Sequence, residues 1–134
     1  MMARASGTFE VKLNPQELAD KAASTTLGRM TIDKQFRGDL EAVSKGEMLS
    51  AGTSVKGSAG YVAIEQVSGT LQGRSGAFVL QHSGTMTHGT TQLSVTVVPD
   101  SGTGHLVGLA GQMTINIVDG KHYYEFEYTI AEIL

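Results

Sequence analysis

Residues 69–86 have the sequence GTLQGRSGAFVLQHSGTM. Apolar and polar residues alternate on both sides of the GRSG segment at 73–76, and this period of two is typical of half-buried β-strands. Glycine and serine between two such runs favour a turn. The stretch therefore predicts a β-hairpin with one face toward the protein interior.

The register of this hairpin depends on the length of its turn. If the turn between Gly73 and Gly76 has an even number of loop residues, Val67 lies opposite His82 and Glu65 lies opposite Gly84. Glu65 and His82 are then diagonal neighbours on one face, within reach of each other. A bulge in the strand before the turn would instead send Glu65 to solvent.

The same alternation recurs along the whole chain, whereas the helical period of apolar residues is nearly absent. Residues 15–24 (PQELADKAAS) have a helix-forming composition but are too short for more than a turn or two, so we expect a connection there, with Pro15 ending the first strand. Gly46 indicates a bulge in the third strand. The predicted strands, in chain order, cover residues 3–13, 27–36, 40–49, 59–72, 77–87, 92–99, 106 or 111 to 118, and 121–130.

Most connections between these strands are short, and Asp119-Gly120 is a strong signal for a type I′ hairpin. Eight strands joined in this way predict an all-β protein, an antiparallel up-and-down meander that closes into a small barrel and so removes both unpaired edges. A two-sheet β-sandwich is the alternative, because a strand count does not distinguish closure from stacking. We expect residues 1–134 to form a single domain.

Composition narrows the classes of function. The chain has no cysteine, which excludes disulfides and thiolate chemistry, and its formal charge of -3 is spread without a basic cluster, so nucleic acid is not an expected partner. No apolar run is long enough to cross a bilayer and no signal peptide is evident, so we expect a cytoplasmic protein with no membrane partner. The four histidines are scattered and no nucleotide-binding motif is present; we therefore expect neither a metal nor a cofactor.

Several motifs resemble those of an uncharacterised bacterial family, domain-of-unknown-function family 3224. They are GDLE at 38–41, GYV at 60–62, the hairpin at 69–86, and SGTGHLVGLAGQMTI at 101–115. The resemblance covers nearly the whole chain. It implies a fold similar to the allene oxide cyclase barrel, a small closed or nearly closed β-barrel, and it implies no established activity. No catalytic residue of that cyclase is carried over to this chain.

Polar side chains occupy several inward-facing positions of the predicted barrel. A buried Glu65 must pair with His82 or Lys34, become protonated, or keep water beside it. In such a place a carboxylate with a raised pKa can act as a general base, with His82 returning the proton. The inward-facing polar candidates are Lys34, Tyr61, Glu65, His82, Tyr124 and Tyr128.

These residues admit more than one function. The plainest interpretation is a satisfied hydrogen-bond network that fixes strand register. As a function we favour a non-enzymatic module that holds a small, partly apolar ligand in its lumen. Glu65 and His82 would form the polar floor of this lumen. The other predicted ligand-binding residues are Lys34, Tyr61 and Tyr124. One alternative is an isomerase- or cyclase-type enzyme that uses Glu65 and His82.

The outer face of the barrel suggests a further alternative, a homo-oligomeric assembly module with a packed interior. A monomeric barrel has little reason to expose a contiguous patch of β-branched residues. The outward-facing apolar residues that indicate such a patch are Val62, Ile64, Val79 and Val98.

Overall fold

Eight antiparallel strands follow one another around a closed barrel, as predicted. The structure, a computed structural model, describes residues 2–20 and 26–131. Because β1 also pairs with β8, from Ala3 opposite Tyr128 to Phe9 opposite His122, the sheet closes and the sandwich alternative is wrong. The strands are β1 Ala3–Gln16, β2 Leu27–Gly38, β3 Leu40–Gly52, β4 Ala59–Leu71, β5 Arg74–Thr87, β6 Thr90–Val97, β7 Leu109–Val118 and β8 Lys121–Ile130.

The turn of the central hairpin is tighter than the sequence predicted. Leu71 pairs with Arg74, so that Gln72 and Gly73 alone form the turn, with φ angles of 45° and 86°. Positive φ at both central residues is the type I′ geometry, which matches the twist of the two strands. The same geometry occurs at Asp119-Gly120, where it was predicted.

The hairpin register differs from the predicted register by an even number of residues. Val67 lies opposite Phe78, and His82 lies opposite Ala63. Successive side chains of a strand point to opposite faces, so an even displacement leaves every side chain on its predicted face. Glu65 and His82 therefore remain diagonal neighbours inside the barrel.

The first strand extends beyond its predicted end. Pro15 lies opposite Met30 within the β1–β2 ladder, since a proline is tolerated near a strand end, where the ladder is about to stop. Residues 17–20 carry no helix, and residues 21–24 of the predicted connection lie outside the described residues.

Gly46 does not form the predicted bulge. Its strand keeps a continuous register, with Gly46 between Ile32 on β2 and Glu65 on β4. A Cβ atom at Gly46 would lie 2.1 Å from the carbonyl oxygen of Ile64 and 2.6 Å from Cα of Glu65. The glycine is therefore required by the close approach of β3 and β4 at the level of Glu65.

We expect Gly46→Ala to destabilise the barrel by about 2 kcal/mol, because the added methyl group meets backbone that cannot move away freely. Gly52→Ala on the same strand is the matched control, since a Cβ at Gly52 would meet nothing within 4 Å. Urea unfolding of the two variants measures the difference. Equal stabilities would contradict the close approach.

The two ends of the barrel differ in packing. At the closed end, which carries the β2–β3 and β4–β5 turns, a 3-10 turn at Gly104–Leu106 places the buried Leu106 in the core. At the open end, Leu93 and Ile117 face inward in phase with buried residues of their strands, yet they are 44% and 63% exposed. Side chains fill the closed end and leave the open end unfilled.

The open end also contains a gap in the barrel wall. The β6–β7 ladder consists of two pairs, Val95 opposite Met113 and Thr96 opposite Gln112. Beyond them, toward the open end, the residues of β6 and β7 are not paired with each other. The two strands thus separate on one side of the unfilled end.

Candidate functional site

Glu65 is the centre of a buried polar cluster inside the barrel. Its side chain is fully buried, and its carboxylate oxygens accept hydrogen bonds from three side chains. The Nζ atom of Lys34 lies 2.7 Å from Oε2, the Oγ atom of Ser44 lies 2.8 Å from Oε1, and Nε2 of His82 lies 2.5 Å from Oε2. Both oxygens of this carboxylate therefore accept hydrogen bonds from the protein itself.

The strand registers bring these four side chains together. Lys34 on β2 lies opposite Ser44 on β3, and the next inward position of β3 lies opposite Glu65 on β4. His82 on β5 is diagonal to Glu65. The predicted contacts of Glu65 with His82 and Lys34 are present, but Ser44 was not among the predicted site residues. A small polar residue on the inward face of the third strand was the signal that could have indicated it.

Lys34 is held from two sides. Its ammonium group pairs with Glu65, and it also lies 4.7 Å from the ring centroid of Phe9 and 5.6 Å from that of Phe36. A cation is attracted to the face of an aromatic ring, most strongly where water is excluded. The lysine therefore supplies a fixed positive charge to the cluster.

Of the states predicted for a buried Glu65, pairing with His82 and Lys34 is the one observed, and it lowers the pKa of Glu65. Burial alone would raise the pKa of Glu65, but the hydrogen bond from His82 and the charge and hydrogen bond of Lys34 outweigh it and lower the pKa to about 2. Glu65 is therefore ionised at neutral pH and has little tendency to take up a proton. This ionisation is that of an electrostatic anchor, and a catalytic role for Glu65 stays a prediction.

We expect this ionisation to make stability acid-dependent. The carboxyl group binds its proton less tightly in the folded state, with a pKa of about 2 against an ordinary value of 4.5. The stabilisation is complete above about pH 4.5 and is lost as the pH falls toward about 2. The full contribution is about 3 kcal/mol.

Urea unfolding across this pH window measures the effect. The wild-type stability should fall more steeply than that of Glu65→Gln, whereas the exposed control Glu125→Gln should follow the wild type. Parallel curves for the wild type and Glu65→Gln would contradict the low pKa of Glu65.

Tyr61 extends the cluster toward the open end. Its hydroxyl lies 3.4 Å from Nδ1 of His82, on the opposite side of the imidazole from Glu65. A Cβ at Gly84, which lies opposite Tyr61, would be 2.5 Å from its Cε1 atom, so the glycine leaves room for the ring. Burial, followed by the charge of Glu65, raises the pKa of Tyr61, and the phenol stays neutral.

A cavity of about 590 Å³ lies at the open end, lined by residues of the five strands from β3 to β7. Tyr61 lines this cavity, whereas Glu65, His82 and Lys34, all described by the structure, are not among its lining residues. Of these predicted ligand-binding residues, Tyr61 is the one that lines the cavity. A ligand-binding role for Glu65, His82 and Lys34 stays a prediction. The large apolar residues of the lining are Met48, Met86, Leu93, Ile115 and Ile117.

Two of the predicted inward tyrosines lie at the closed end, away from this cavity. The Tyr124 hydroxyl accepts a hydrogen bond from the Leu40 amide and donates one to the Arg37 carbonyl, each at 2.9 Å. The Tyr128 hydroxyl donates to the side chain of Gln72. Tyr124 therefore holds the β2–β3 turn and is not brought together with the other predicted ligand-binding residues.

The described parts of the chain, 2–20 and 26–131, contain no group of three histidine, cysteine, aspartate or glutamate residues placed to hold a metal ion. Nor do those residues include a helix that is long and apolar enough to cross a membrane. The candidate site consists of the polar cluster around Glu65 and the cavity beside Tyr61.

Fold and site together define a small closed β-barrel with a buried lysine–glutamate–histidine cluster and one open end. Residues 5–128 match the family described as "Protein of unknown function (DUF3224)", and the chain belongs to this family. The resemblance predicted from the sequence is confirmed, whereas the likeness to the allene oxide cyclase barrel stays a prediction.

The chain is also similar to a solved structure of the same family. This is the crystal structure of a protein with unknown function from the DUF3224 family from Shewanella oneidensis MR-1. The two chains are 54% identical, the match covers 99% of this chain and 100% of the other, and the TM-score is 0.94. Comparison with curated proteins finds no match.

Proposed function

We propose that this barrel is a binding module that holds a small, mostly apolar molecule at its open end. The observation that carries the proposal is the cavity of about 590 Å³ lined by Met48, Met86, Leu93 and Ile115. Ligand pockets in proteins have about 300–1,000 Å³ and are mostly apolar with a few polar groups. Both the size and the lining of this cavity fit that class.

The construction of the barrel supports the same proposal. A barrel of eight strands is either filled by its own side chains or holds one small ligand. Here the closed end is filled, whereas Leu93 and Ile117 face the interior and remain exposed at the open end. Met48 and Met86 add flexible side chains that can adapt to a ligand.

The partner we propose is therefore a small molecule, with neither nucleic acid nor a membrane as a binding surface. The cytoplasm is the setting we propose, and a chain without cysteine fits a reducing compartment. A catalytic role receives less support, because Lys34 and His82 lower the pKa of the carboxylate proposed as a base to about 2 and so make it a weak base.

Fluorescence titration with N-phenyl-1-naphthylamine, a neutral apolar dye, tests the cavity. We expect saturable binding of one dye per chain, and we expect Ala59→Phe to weaken it about tenfold or more by filling space in the cavity. Ser68→Phe is the matched control, because Ser68 lies on the outer face of the same strand. Absence of saturable binding, or equal binding by both variants, would overturn the proposal.

A second proposal concerns assembly. Leu49 and Val62 lie opposite each other on the outer faces of β3 and β4, and with Ile64 they are 51%, 53% and 50% exposed. Adjacent exposed apolar side chains favour an interface between copies of the chain. Val79 and Val98, which were also predicted to belong to the patch, are half-buried and contribute less exposed apolar surface to it.

Light scattering across a dilution series checks for the oligomer. We expect a defined oligomer for the wild type and for Ser68→Lys, and a shift toward monomer for Val62→Lys, because a charge at the centre of an apolar interface must lose its water. A monomeric wild type at every concentration would count against the assembly.

A further inference from the structure

A chain of hydrogen bonds connects the open-end cavity to the buried ion pair. Tyr61, which lines the cavity, contacts Nδ1 of His82 at 3.4 Å. The Nε2 atom of His82 lies 2.5 Å from Oε2 of Glu65, and the same oxygen is 2.7 Å from Nζ of Lys34. The hydrogen-bonding role that the Tyr61 hydroxyl offers to a ligand therefore depends on His82, Glu65 and Lys34, which do not line the cavity.

The buried end sets the direction of these hydrogen bonds. An ionised carboxylate can only accept, so Nε2 of His82 carries a proton and donates it to Glu65. Lys34 already balances the charge of Glu65, and a neutral imidazole leaves the buried cluster without net charge. A charged imidazole would add an uncompensated charge to a water-poor interior, which is costly.

The direction then passes to Tyr61. A neutral imidazole with its proton on Nε2 presents Nδ1 as an acceptor. The Tyr61 hydroxyl consequently donates to Nδ1 of His82, which is its one hydrogen-bond partner within residues 2–20 and 26–131. With its proton engaged by His82, the phenol oxygen has only acceptor capacity left.

We propose that Tyr61 selects the polar end of the ligand by accepting a hydrogen bond from it. The ligand class is a small apolar ring or chain that ends in a hydroxyl or N–H group, since the apolar part fits the methionine- and isoleucine-lined cavity. This inference rests on the proposed binding function and adds the chemistry that the site recognises. Tyr61 is a specificity-determining residue in this scheme, and His82 and Glu65 are positioning residues.

Two matched probes test the preference. The first is 2-naphthol, which can donate a hydrogen bond, and the second is 2-methoxynaphthalene, which cannot. Their fluorescence can be excited beyond the absorption of tyrosine, and the chain has no tryptophan. Each probe is titrated into the wild type, into Tyr61→Phe, and into the exposed control Tyr123→Phe.

The measured quantity is the ratio of the two dissociation constants in each protein. We expect the wild type and Tyr123→Phe to favour 2-naphthol about tenfold more than Tyr61→Phe does, which corresponds to one hydrogen bond. Because the ratios are compared between proteins, the different hydrophobicities of the probes cancel.

The two proposals fail in distinguishable ways. Binding of both probes with the same ratio in wild type and Tyr61→Phe would overturn the role of Tyr61 and leave the binding function standing. A ratio shifted toward 2-methoxynaphthalene in the wild type relative to Tyr61→Phe would also overturn it, because Tyr61 would then disfavour the probe that can donate. Failure of the wild type to bind either probe would overturn both proposals.

Discussion

The burial of one ionised carboxylate constrains the register of four of the eight strands. Glu65 is fully buried, and its charge is tolerated because Lys34, Ser44 and His82 all donate to it. These groups lie on three strands other than β4, so the cluster forms only when β2, β3, β4 and β5 are all in register. A slip of β2 by one residue would turn Lys34 to the outer face and leave the buried carboxylate without its cation, which costs about 3–5 kcal/mol. The polar cluster therefore selects the register that apolar packing alone would select less strictly.

The same cluster divides the barrel into two parts. Toward the closed end, aromatic residues fill the interior, with the Phe78 and Phe126 rings stacked at 5.8 Å between centroids. Toward the open end, β6 and β7 separate after two ladder pairs and inward-facing apolar residues stay exposed. The packed end and the ion cluster thus hold the strands that shape the cavity at the other end of the same small domain.

Much of this architecture could be predicted from the sequence, because its information is local. Alternation with a period of two placed Glu65, His82 and Lys34 on the interior face, and an even displacement of the hairpin register left those faces unchanged. The pKa of Glu65 could not be predicted, since it depends on donors from three strands meeting at one carboxylate. The gap between β6 and β7 could not be predicted either, because the alternation within one strand does not show which of its residues lack a partner on the neighbouring strand.

The group beyond His82 bears on whether the site holds a ligand or transforms it. Catalytic triads use a buried carboxylate to fix the tautomer of a histidine, whose other nitrogen then activates a nucleophile. Glu65 can fix His82 in the same way, but the group beyond His82 is the phenol of Tyr61. Burial and the charge of Glu65 raise the pKa of that phenol, so at neutral pH it keeps its proton and is a poor nucleophile. The same arrangement would activate a serine or a cysteine in the place of Tyr61. With Tyr61, it fixes the direction of the hydrogen bond between the phenol and His82, which supports the proposed binding role more than a catalytic one.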